Sequence, residues 1–80
     1  MLKFYAAKKI TKDVRKSMNP LQATLVKRCE KAGTGGCTYL DLLYVGKPYI
    51  NADGEKRFAS SRRIYRNVRL LRDHGVLLVK

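Results

Sequence analysis

The sequence predicts one small α+β domain over residues 1–80, mostly helical with a little sheet. Three observations predict it. Helix start and stop signals recur at 19–33, 38–46 and 60–75; an Asp-Gly pair separates two β-like runs between residues 47 and 59; an apolar run at 76–79 follows the last helix stop. At 80 residues and 9.1 kDa, a chain buries about 60% of its unfolded surface, which leaves little room for a deep substrate cavity. Hydrophobic residues make up 45% of it, too many for a disordered basic tail, so a packed core is expected.

The first 18 residues carry two periods. Leu2, Phe4 and Ala6 alternate with Lys3, Tyr5 and Ala7 as a strand would, and Ala6, Ile10, Val14 and Met18 recur at helical spacing. A short strand or arm followed by one or two helical turns reconciles them. Asn19 is a good N-cap and Pro20 suits the first helical position, where its missing N–H costs nothing. Leu21, Leu25, Cys29 and Ala32 then stack on one face, opposite Lys27, Glu30 and Lys31, and Gly33 stops the helix. Gly33-Thr34-Gly35-Gly36 reads as a flexible turn without the pattern of a phosphate loop.

Thr38 and Asp41 have the spacing of a capping box and begin a second, short helix that Gly46, Lys47 and Pro48 end. Its inner face is expected to be Leu40, Leu43 and Tyr44. The β-like runs on either side of Asp53-Gly54 read as a hairpin, with Tyr49, Ile50 and Phe58 available to pack on the core. Ser60 or Ser61 caps a third helix over residues 62–74, Gly75 ends it, and residues 76–79 form a last strand. That strand is apolar on both faces. It needs a partner, which the first residues or the segment around Cys37 would supply.

With 18 Lys plus Arg against 6 Asp plus Glu, the net charge is +12. Self-repulsion of that size is relieved most simply by a polyanion, nucleic acid before an anionic membrane. No apolar run approaches the roughly 18 residues of a membrane span and the first residues have no signal-peptide pattern, so a cytoplasmic protein is expected, nucleoid-associated or working inside a host cell. Cys29 and Cys37 read as reduced thiols. Adding His74 makes three potential zinc ligands where a structural site takes four, so neither metal nor other cofactor is expected. Cys29 reads as core, and His74 as a cation complementing the end of the third helix. With no paired carboxylates, nucleophilic triad or metal cluster in the sequence, an enzyme is the least expected class.

The third helix carries the chemistry. Val68 and Leu71 lie within about 40° of Ile64 on its wheel, whereas Arg62, Arg66 and Arg69 project the opposite way, flanked by Arg63, Tyr65 and Arg72. The planar guanidinium fork suits both phosphate and the O6/N7 edge of guanine, and a helix fits the DNA major groove. Ser60 and Ser61 add hydroxyl and backbone N–H donors for phosphate. Tyr44, Tyr49 and Phe58 have the faces to stack on unpaired bases, although aromatics at such spacings are expected in the core. Lys8, Lys9, Lys12, Arg15 and Lys16 form a second basic cluster, suited to a minor-groove arm or a second phosphate track.

Residues 61–77, a capped helix with apolar residues at these spacings ending in Gly75 before Val76 and Leu77, resemble the recognition helix and following strand of winged helix-turn-helix DNA-binding domains. Residues 21–32 and 37–43 resemble that family's first helix, short strand and second helix. The resemblance covers residues 19–79 and implies a winged-helix-like three-helix core. The chain departs from the family's pattern at residues 47–59, a hairpin inserted between the second and third helices, and at Lys80, where a wing hairpin would begin. The hairpin, with Lys47, Lys56 and Arg57, is expected to replace the wing's DNA contact or to pack on the core.

The expected function is double-stranded DNA binding by a small transcriptional regulator or DNA-organising factor. Arg62, Arg63 and Arg66 are the expected base readers, with Arg69, Ser60, Ser61, Lys56 and Arg57 on phosphates. A palindromic site would imply a two-fold homodimer. Two rivals share the charge. They are a structured-RNA or ribosome-associated protein, which would prefer duplex RNA, and a small regulator docking on an acidic protein surface, which would bind without nucleic acid.

Overall fold

The computed structural model describes residues 2–80. The strand β1 (Phe4–Ala6) leads into the helices α1 (Lys12–Ser17) and α2 (Pro20–Ala32), a 3-10 turn (Gly33–Gly35) and α3 (Tyr39–Val45). The hairpin strands β2 (Tyr49–Ile50) and β3 (Lys56–Arg57), the helix α4 (Ser61–Asp73) and the strand β4 (Leu77–Val79) complete it. The described residues form a small α+β protein with four α-helices and two small antiparallel sheets.

Each long helix starts where its cap directs. The Asn19 side chain accepts from the Gln22 backbone N–H at 2.7 Å, and the Gln22 side chain accepts from the Asn19 N–H at 3.2 Å. Thr38 and Asp41 close the same reciprocal box on α3, at 3.2 and 3.0 Å. The Thr38 N–H holds the Asp41 carboxyl below the usual carboxylate range. Ser60, not Ser61, caps α4 by accepting from the Arg63 N–H, and His74 stands at its C-terminal cap before Gly75.

β1 lies between two partners. On one side Phe4, Tyr5 and Ala6 pair antiparallel with Val79, Leu78 and Leu77, and on the other Phe4 bridges to Cys37 with bonds of 2.7 and 2.8 Å. Of the two partners expected for the last strand, the first residues pair with it, whereas Cys37 bridges to β1 on its other side. Under this sheet α2 supplies Leu21, Leu25, Val26 and Cys29 to the core, α4 supplies Ile64, Val68 and Leu71, and Cys37, Leu42, Tyr49, Ala59, Val76 and Leu77 close it.

Two packing expectations need correction. The buried position of α3 is Leu42, fully buried, while Leu40 and Tyr44 are 73% and 83% exposed. A seven-residue helix that is apolar everywhere except Asp41 has two apolar triplets at helical spacing, and the capping box, with Asp41 held beside Arg28, turns Leu42 and Leu43 inward. Of the three hairpin side chains available to pack on the core, Tyr49 does so, whereas Ile50 is half exposed and Phe58 is 74% exposed. Ala59 is the cause. Its N–H donates to the Gly46 carbonyl at 3.3 Å and its methyl is buried, so chain alternation sends the Phe58 ring outward.

Candidate nucleic-acid interface

The outer surface of α4 follows from its inner one. Ile64, Asn67, Val68 and Leu71 are buried, which leaves Arg62, Arg66 and Arg69 exposed on the opposite side. Gly46 lets the helix approach: a Cβ at that position would stand 2.7 Å from the Ile64 Cδ1 atom. Asn67 fixes the rotation of α4. Its Oδ1 accepts from Gln22 Nε2 at 3.0 Å and from Asn19 Nδ2 at 3.4 Å, and its Nδ2 donates to the Arg63 carbonyl at 2.8 Å. The sequence reading missed Asn67. Its only signal was an amide interrupting the apolar stripe beside Val68.

The arginines of the ridge have no internal counter-ion among the described residues. Among the described residues the ion pairs join Arg15 to Glu30, Arg28 to Asp41, Arg57 to Glu55 and Arg72 to Asp73. Arg62, Arg63, Arg66 and Arg69 are in none of them, nor are Lys47 and Lys56. Arg57 is paired, though both partners are more than half exposed and such a pair is weak.

At the start of α4 three elements converge. Lys47, which follows α3, donates from Nζ to the Ser61 Oγ at 2.8 Å, and the Tyr39 hydroxyl donates to the Ser61 carbonyl at 3.1 Å. The Tyr39 ring meets Tyr65 edge to face with centroids 6.0 Å apart. Arg63 does not join the ridge. Its guanidinium lies 5.8 Å from the centre of the Tyr49 ring, facing a groove that Arg57, Asn51, Asp53 and Pro20 also line. The expected site residues therefore fall into two groups. Ser60, Ser61, Arg62, Tyr65, Arg66, Arg69 and Lys47 stand along α4 or at its start, whereas Arg63 and Arg57 belong to the hairpin side and Lys56 is exposed on β3.

In the N-terminal cluster Arg15 is tied to Glu30 by a 2.8 Å bond, which holds the Glu30 carboxyl below its ordinary range. Cys29 and Cys37 are free and buried; burial first, and Cys37 second, push the Cys29 thiol up to about 12. Cys37 sits beside the Arg28 guanidinium, whose Nη1 donates to its sulfur at 3.3 Å. No group of three or more potential metal ligands occurs among the described residues, and no helix among them is long and apolar enough to cross a membrane. Comparison with protein-family models, curated proteins and solved structures found no match to this chain.

Proposed function

We propose that this protein binds double-stranded DNA through α4, as a small transcriptional regulator or DNA-organising factor. In this reading α2, α3 and α4 are the three-helix core of a winged-helix-like domain. β1, paired antiparallel with β4, takes the place of a wing's return strand. One observation carries the proposal. Arg62, Arg66 and Arg69 share the exposed face of a helix whose other face is core, and no carboxylate among the described residues neutralises them. A surface that serves solubility is best built with both signs of charge interspersed, and this ridge has one sign.

Arg62 and Arg66, early in the helix, reach base edges in the major groove. Arg69, Lys47, Ser60 and Ser61 hold phosphates along one strand, and Arg63, Arg57 and Lys56 meet the backbone on the hairpin side. Arg66→Ala tests it. The substitution leaves thermal melting nearly unchanged, because a solvated arginine contributes little to folding. A bidentate base contact predicts a loss of about 1 to 3 kcal/mol on a duplex selected from random DNA and much less on a scrambled one. Equal binding by mutant and wild type on both duplexes overturns the assignment of α4.

A further inference from the structure

Phe58 is an exposed aromatic ring on a fixed backbone. The N–H of the next residue is bonded to Gly46, and Ser60 then caps α4, so the ring is held at the entrance to the helix with 74% of the residue open to water. Three residues on, Ser61 receives the Lys47 ammonium. One helical turn further, Tyr65 is 56% exposed and is steadied by Tyr39, whose hydroxyl is anchored on the Ser61 carbonyl. In chain order this strip runs ring, cation, ring, beside Arg62 and Arg69.

Continuous duplex gives the Phe58 ring little, since its bases are stacked on one another and a phenyl group has no polar atom with which to read their edges. An unpaired nucleotide offers an open π-face next to a phosphate, which matches an aromatic beside an uncompensated cation. A lipid surface would be met by a broader apolar face, and an apolar protein partner would desolvate Lys47 and Arg62 without neutralising them.

We propose that Phe58, Lys47 and Tyr65 form a stacking platform for unpaired nucleobases, so that the preferred ligand is a duplex interrupted by an unpaired stretch. This rests on the duplex-binding reading of α4 and specifies its ligand.

Anisotropy titrations of the full chain on two labelled duplexes of equal length, one continuous and one with a three-thymine bulge, test it. The wild type should bind the bulged duplex about tenfold or more tightly than the continuous one, as the stacking of one or two bases implies. Phe58→Ala should keep wild-type affinity for the continuous duplex and lose most of that preference; Phe58→Tyr should keep it; Tyr65→Ala should reduce it. A 2-aminopurine placed in the bulge should be quenched by the wild type and not by Phe58→Ala. Equal wild-type affinity for both duplexes overturns the platform and leaves duplex binding standing. A preference surviving both alanine variants overturns it too. Binding to the bulged duplex with none to the continuous one supports the platform and overturns the duplex reading of α4.

Discussion

Gly46 has no side chain because Ile64, fully buried, occupies the place where one would go. Gly46→Ala should force either the isoleucine rotamer or the α3–α4 spacing to give way. We expect a destabilisation of about 1 to 3 kcal/mol, read as a lower denaturant midpoint with an unchanged slope. Cys29 makes a second prediction at this scale. Its raised pKa means that the folded state keeps a proton which the unfolded chain releases at lower pH. The resulting stability is therefore complete below the ordinary thiol range, near pH 8.5, and is lost as pH rises toward 12. Melting temperature should fall across that interval, less so in Cys29→Ala. A pH-independent melting temperature there would contradict the burial of this thiol. Asn67 belongs at the same scale. The apolar stripe of α4 was legible from spacing, but the partners of a buried amide lie 45 and 48 residues away, and no local pattern announces them.

Elements with strong caps were legible nearly to the residue: α2 and α4 start after Asn19 and Ser60, and α3 after Thr38. Orientation was less so. α3 has too few polar residues to define an outer face, so Leu42 and Tyr44 exchanged roles until the packing against α2 and α4 chose between them. The hairpin was legible from Asp53-Gly54, yet its two-residue strands give no period by which to tell Tyr49 from Phe58. Its role is tested by the double variant Lys56→Ala, Arg57→Ala. Both side chains are exposed, so melting should hardly move. Affinity should weaken alike on selected and scrambled duplexes, and the salt slope should flatten by up to about two. Loss of discrimination in this variant, with discrimination intact in Arg66→Ala, would make the hairpin the reading element.

Across the whole molecule 18 Lys plus Arg stand against 6 Asp plus Glu, a net charge of +12, and the ion pairs among the described residues use Arg15, Arg28, Arg57 and Arg72 and leave the α4 ridge uncompensated. Contact with four to six phosphates should make log K fall against log salt with a slope of roughly −4 to −5. A slope near zero in a titration from low to moderate salt would remove the electrostatic basis of the proposed function.

The sequence by itself determined the α+β class, the helix boundaries, the Asp-Gly turn and the arginine ridge, because caps, turns and helical periodicity act over a few neighbouring residues. Tertiary structure alone decided that β1 sits between Cys37 and β4, that Leu42 rather than Leu40 enters the core, that Arg63, on the flank of the ridge, turns to Tyr49, and that Phe58 faces water. Each of these depends on residues far apart in the chain competing for one buried volume, and which side chain wins that volume follows from the close packing of all of them together.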